Sequence, residues 1–146
     1  MQSHRAVLKL AIEKKHSSIL ILEDDIIFCD NFKNELKKCL NELPDDWDAL
    51  HLNGTDHPLQ KASYYSPNLL KVSYTTGAFG VLINSSIFQN LLDCSKDEDK
   101  ENDVYFAEIQ NRLNWFKCAK KLVLHPPNYS EINGIFVNYK HLYEAN

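Results

Sequence analysis

Glycine and proline are scarce in this chain, four and five residues among 146. That excludes collagen-like repeats and long flexible linkers, and no internal repeat or low-complexity segment is present. No apolar run approaches the length of a membrane span. The start, Met1-Gln2-Ser3-His4-Arg5, leads into an amphipathic stretch rather than a signal-peptide apolar region. The expected location is therefore cytoplasmic, free or peripheral to a membrane. Nor does one sign of charge dominate. Sixteen basic and twenty acidic residues give a net charge of −4, which argues against a wholesale grip on nucleic acid or anionic membrane. The four cysteines, Cys29, Cys39, Cys94 and Cys118, form no CxxC pair. Zinc-site spacing is absent, a disulfide framework is unexpected at this size, and buried reduced thiols are the simpler reading. Asn53, Asn84 and Asn128 each open an Asn-x-Ser/Thr triplet, which reads as chance without a secretory signal.

What is present is an ordinary globular composition, 44% hydrophobic and 25% charged, with length for one domain over residues 1–146. The spacing of apolar residues predicts a helix over 3–16, capped by Ser3, with Val7, Leu10 and Ala11 on one face. A second is predicted over 31–43, where Phe32, Leu36, Cys39, Leu40 and Leu43 recur and Pro44 ends it. Between them, Ile19-Leu20-Ile21-Leu22 reads as a strand over 19–24, buried on both faces as in parallel sheets. Trp47 to Asn53 alternates as a strand with Leu50 and Leu52 inward. Residues 54–68, with Gly54, Pro58 and Pro67, read as a long loop. Leu69 to Tyr74 and Gly77 to Ile83 are two strands with a hairpin or sharp bend at Thr75-Thr76. Asn84 or Ser85 then caps a short helix through Leu92. The charge run over 93–103 reads as a solvated loop, Val104 to Asn114 as a helix, and Trp115 to Leu124 as a strand broken by its lysines. The tail from Asn128 reads as irregular. Helices alternating with strands predict an α/β domain.

Three carboxylates, Glu23-Asp24-Asp25, follow the apolar run directly. They cannot enter a core unpaired. They belong in a cleft at the sheet's carboxyl edge, where open α/β sheets bind ligands. Strand alternation puts Glu23 and Asp25 on one side and Asp24 on the other. Two carboxylates on one side make a site for Mg²⁺ or Mn²⁺, which take hard oxygen ligands and bridge phosphates. The plainer alternative is three solvated acids opening a loop. One use of the metal chemistry is sugar transfer from a nucleotide donor, where a general base also deprotonates the acceptor hydroxyl.

The stretch from Ser3-His4 through Ile19-Leu20-Ile21-Leu22-Glu23-Asp24-Asp25 to Ile26-Ile27-Phe28 resembles the central motif of family 25 glycosyltransferases, which include lipopolysaccharide glycosyltransferases and collagen galactosyltransferases. Further segments resemble that family in order. They are Leu43-Pro44-Asp45-Asp46-Trp47-Asp48, the strand Thr76-Gly77-Ala78-Phe79-Gly80-Val81-Leu82-Ile83-Asn84, Asp103 with its helix, and Ser130-Glu131-Ile132, where the family more often has Asp at the middle position.

The resemblance implies a GT-A-like, Rossmann-like nucleotide-sugar-binding domain with a mixed, mostly parallel sheet. It implies metal-dependent transfer, using Mn²⁺ or Mg²⁺, from a nucleotide-sugar donor to a hydroxyl of a glycan, lipid-linked glycan or protein, with inversion at the anomeric carbon. Glu23, Asp24 and Asp25 would correspond to the D-x-D-type motif. Asp25 would be the main metal ligand, and Glu23 would bind through water or touch the donor ribose. Asp103 would be the acceptor-side carboxylate and general base, against a plain role capping its helix. Gly77 and Ala78 would let a sugar approach the backbone, and His4 would support the donor pocket. His125 could complete a metal shell, but beside two prolines it reads as an ordinary strand end. The family normally carries a strand-bearing segment ahead of the Ser3-His4 helix. Because this sequence begins at that junction, the resemblance implies an N-terminally truncated fold, with an apolar sheet edge left open to self-association.

Two other readings compete. A phosphoacceptor receiver domain also places paired acids after an apolar strand, and Asp56-His57-Pro58 would supply the acceptor aspartate. A non-catalytic glycosyltransferase-like domain acting through a partner is the other.

Overall fold

Ala49, Leu50 and His51 are completely buried, and the strand they form lies at the centre of the sheet. The computed structural model describes residues 2–94, 102–125, 128–130 and 135–137. In chain order the elements are α1 (Gln2–Glu13), β1 (Ser18–Leu22), β2 (Ile27–Phe28), α2 (Phe32–Glu42), β3 (Ala49–His51), β4 (Thr55–Asp56) and β5 (Ser63–Ser66). There follow β6 (Leu69–Lys71), β7 (Thr75–Thr76), β8 (Gly80–Asn84), a 3₁₀ turn (Ser85–Ile87), α3 (Phe88–Cys94), α4 (Asn102–Gln110), β9 (Trp115–Cys118), β10 (Val123–Leu124), β11 (Asn128–Ser130) and β12 (Ile135–Val137). The Asn84 side chain accepts the Ser86 N–H and caps the 3₁₀ turn as its sequence predicts.

Six of these strands form the main sheet in the order β1-β8-β3-β9-β6-β5. Only β3 and β9 run parallel among its neighbours, and every other neighbouring pair is antiparallel. The domain is mixed α/β, but the expectation of a mostly parallel sheet is overturned. The reason lies in the connections. β1, β3 and β9 do share one direction, as strands separated by helices should. β6 and β8 are reached without a helical crossover, and they slot beside those strands running the opposite way. Leu69 to Tyr74 and Gly77 to Ile83 are accordingly not hairpin partners. β6 lies beyond β9, β8 lies between β1 and β3, and β7 joins them while pairing with β4.

Two apolar clusters sandwich the sheet. On one face Leu8 and Ala11 of α1, Phe88, Leu91 and Leu92 of α3, and Phe106 of α4 pack on Ile21, Ala49, Val81, Ile83 and Trp115. On the other, Phe32, Leu36 and Cys39 of α2 pack on Leu50, Leu52, Leu69, Phe116, Cys118 and Leu122. The helical spacing of α2 thus does what its sequence predicts. The expected face of α1 is corrected: Leu8 and Ala11 meet the sheet, while Val7 and Leu10 stay exposed at 41% and 52%. The helix already includes Gln2, so Ser3 lies within it and does not cap it, and it ends at Glu13, short of residue 16.

The doubly buried strand is β3 and not β1, which corrects the reading of the Ile/Leu run. β1 is an edge strand. Its Ile21 is buried under α1, but Leu20 and Leu22 on its other face keep 40% and 38% exposure. α2 covers the centre of the sheet and does not reach across to them. The expected long loop over 54–68 holds β4 and β5, whose short polar sequences gave no alternation to detect. The expected helix through Asn114 stops at Gln110. The tail contains the antiparallel pair β11 and β12, and Glu131 lies outside the described residues. All four cysteines are free, with Cys39 and Cys118 buried.

This assignment of the core predicts an asymmetry. Leu50→Ala should cost about 2–5 kcal/mol and Leu20→Ala about 1 kcal/mol or less in urea denaturation; equal losses would contradict the placement of β3. A second expectation concerns His51, whose burial is the main cause holding its pKa down to about 3. The unfolded chain protonates this group near 6.5. It therefore binds more protons than the folded chain in that window, so the contribution is intact above pH 6.5 and is lost as pH falls toward 3. His51→Phe should flatten the acid limb of the stability curve by up to about 1.4 kcal/mol per pH unit.

Candidate metal centre

The chain leaves β1 after Leu22, and Glu23, Asp24 and Asp25 lie in the turn that leads to β2. The Glu23 N–H donates to the Phe79 carbonyl at 3.2 Å, which ties the turn to the segment entering β8. β2 pairs antiparallel with β10, with Ile27 opposite Leu124. Continuing that register by one residue carries His125 toward the acidic turn. Its Nε2 lies 2.8 Å from Asp25 Oδ2. Ligand atoms of Glu23, Asp25 and His125 all fall within 4.8 Å of one another, and all three residues are partly buried. Asp24 is exposed.

Glu23 and Asp25 thus do converge while Asp24 does not, but a turn and not strand alternation arranges them. His125, expected to be an ordinary strand end, joins the cluster. Its cue was hard to read, because it depends on two strands of two residues each, too short to show a period. The Phe79 ring packs against the His125 ring with centroids 5.4 Å apart.

Asp103 approaches from α4. It sits in the first turn of that helix, and its Oδ2 accepts the Gly77 N–H at 2.9 Å. The contact is across to another segment, not a cap on its own helix. Gly77 has φ +87°, a conformation L side chains rarely adopt, and an added Cβ would lie 2.8 Å from the Phe79 ring. Ala78 is buried in the core cluster of α1, α3 and α4. His4 of α1 packs edge-on against Phe106 of α4, ring centroids 6.4 Å apart, so it bears on the helix that carries Asp103. Burial holds the His4 imidazole below its ordinary pKa.

These acids oppose one another's ionisation. Burial first, and the adjacent Asp25 next, push the Glu23 carboxyl above the ordinary range. Asp103 and Asp24 push the same way, while His125 opposes them. Two carboxylates and an imidazole within this reach are a donor set suited to a divalent cation that takes oxygen and nitrogen ligands.

Asp56 is committed elsewhere. Lys117 Nζ lies 2.6 Å from its Oδ1, the Thr75 hydroxyl donates to the same oxygen at 2.7 Å, and the Ala62 N–H donates to Oδ2. Burial pushes the Asp56 carboxyl up, but Lys117 and Thr75 outweigh it and hold the group below its ordinary pKa.

The model of glycosyltransferase family 25 (LPS biosynthesis protein) matches residues 1–106. That stretch contains Glu23, Asp25, Gly77 and Asp103, and it ends before His125. No curated protein matches the chain. Among the described residues no helix is long and apolar enough to cross a membrane.

If the cluster holds a cation, Mn²⁺ titration followed by electron paramagnetic resonance should give one site. Asp25→Asn and His125→Ala should each weaken it at least about tenfold, since even outer-shell losses cost that much. Asp24→Asn should change it by less than about twofold. Equal effects of all three substitutions would point to loose surface binding.

Proposed function

The chain belongs to glycosyltransferase family 25, and from that premise we propose that it transfers a sugar from a nucleotide-sugar donor to a hydroxyl of a glycan acceptor. The family description, LPS biosynthesis, favours a saccharide acceptor of lipopolysaccharide type. The observation that carries the proposal is the meeting of Glu23, Asp25 and His125 in one partly buried cluster, with Asp103 close enough to push Glu23 upward.

Glu23, Asp25 and His125 would hold Mn²⁺ or Mg²⁺, which when bound would supply positive charge to stabilise the leaving nucleoside diphosphate. The residues' own roles follow from their surroundings. Without a cation, His125 Nε2 holds the Asp25 carboxylate at 2.8 Å, a contact that a bound cation would replace by taking both groups as ligands. The Phe79 carbonyl fixes the backbone of Glu23. Asp103 is the group in reach to take the acceptor proton. The Gly77 N–H holds its Oδ2, which leaves Oδ1 to face the hydroxyl. Gly77 presents bare backbone beside this carboxylate, so a sugar ring can come close there. Ala78 is buried and would meet substrate only through its backbone. His4, behind Phe106, supports α4 and not the substrate directly.

A panel of nucleotide sugars assayed with Mn²⁺ for hydrolysis and for transfer to saccharide acceptors tests the proposal. Transfer with at least one donor is expected. Asp103→Asn should lower kcat by about 10²–10⁴-fold while leaving Mn²⁺ affinity nearly unchanged. An intact, folded chain that turns over no donor would sink the proposal.

A further inference from the structure

Among the described residues, β7 has a strand on one edge only. Thr55 and Asp56 of β4 pair with Thr76 and Thr75. On the other side the partner is a side chain. Gln110, at the end of α4 and fully buried, accepts the Thr75 N–H on Oε1 at 2.7 Å and donates from Nε2 to the Thr75 carbonyl at 2.8 Å. A primary amide bonded to both polar groups of one residue does the work of a neighbouring antiparallel strand.

The amide has one orientation. Reversing it would set its NH₂ against the Thr75 N–H, donor against donor. Its second N–H then points at His51 Nε2, 3.1 Å away. That ring nitrogen must accept, which places the His51 proton on Nδ1. Burial keeps the ring neutral, so the accepting lone pair persists across the physiological range. His51 is itself stacked on Trp115, with centroids 5.4 Å apart.

Asp103 lies seven residues before Gln110, on the same face of α4. The helix therefore grips the segment Thr75–Gly77 at two points, Gln110 on Thr75 and Asp103 on Gly77. Asp56 adds a third hold through the Thr75 hydroxyl. From Gly77 the chain passes to Phe79, whose carbonyl takes the Glu23 N–H. Beyond the Gln110 side-chain amide, the route from Thr75 to the acidic turn is backbone throughout.

We propose that Gln110 is a positioning residue, oriented by His51: by fixing Thr75 it sets the Gly77 N–H that holds the Asp103 carboxylate beside Glu23. The catalytic consequence rests on the transferase reading of Asp103, and the geometric role does not.

Gln110→Met, which fills similar space without hydrogen-bonding ends, tests this in the full chain. Amide hydrogen exchange at Gly77 should become at least about tenfold faster than the change seen at Leu50, which reports global opening. For the best donor, kcat should fall about tenfold or more while donor KM and Mn²⁺ affinity stay within about twofold. A Gly77 amide that changes only in step with Leu50 would overturn the role, and so would a loosened Gly77 with unchanged kcat. His51→Phe keeps a flat ring on Trp115 and removes the acceptor, so it should give the same pattern at about threefold. If Gln110→Met does not fold, His51→Phe decides alone, and an unmoved Gly77 amide would overturn the proposal. A wild-type chain without transfer would defeat the transferase reading, and Gly77 exchange would still support or overturn the positioning role.

Discussion

Carboxylates crowded into a half-buried crevice repel one another and lose hydration, so each needs a compensating partner. Glu23, Asp25 and Asp103 meet such a situation: all three are partly buried, and Asp25 and Asp103 both push the Glu23 carboxyl upward. His125 is brought to Asp25 by the pairing of β2 with β10. The Gly77 N–H is brought to Asp103 by a backbone turn that only glycine adopts easily. Glu23 gains a backbone tie to Phe79, yet its carboxyl is still pushed upward. The leftover repulsion is what a divalent cation would relieve, and the three ligand atoms are spaced to receive one.

The apolar architecture sets where this crevice can lie. Strands β1 and β3 end at the same side of the sheet as β8 begins, because β8 runs antiparallel to both. The acidic turn after β1, the Gly77 segment before β8 and the connections after β3 therefore meet at one end. Two apolar faces, one under α1, α3 and α4 and one under α2, hold that end rigid. Within the core, the polar groups of His51, Gln110, Thr75, Asp56 and Lys117 are linked to one another. The links anchor β7 on the edge where no second strand pairs with it among the described residues.

Part of this was legible in the sequence. The 3.6-residue spacing of α2, the stop at Pro44 and the cap at Asn84 all follow from local rules. α1 was legible as a helix but not in its buried face, because Val7 and Leu10 are as apolar as the Leu8 that meets the sheet. The position of the acids after an apolar strand pointed to the crevice. The strand Ile19–Leu22 misled, because a continuous apolar run reads alike whether it is central or at an edge that only one layer covers. β3 was underrated for the converse reason: His51 and Asn53 look polar, yet both are buried and bonded, Asn53 to the Val123 carbonyl and Gln110 to His51. His125 escaped because its place depends on long-range pairing of two very short strands. Sheet direction escaped because it depends on which connections lack a helix, and β4 and β5 were hidden in an apparent loop.

The most direct test of the account is a crystal structure of the chain grown with Mn²⁺ and a nucleoside diphosphate. The account predicts one strong anomalous peak bound by Glu23, Asp25 and His125, with the diphosphate oxygens completing the coordination and Asp103 facing the open side. A Mn²⁺ peak elsewhere on the protein, with these three side chains unchanged and unligated, would contradict it.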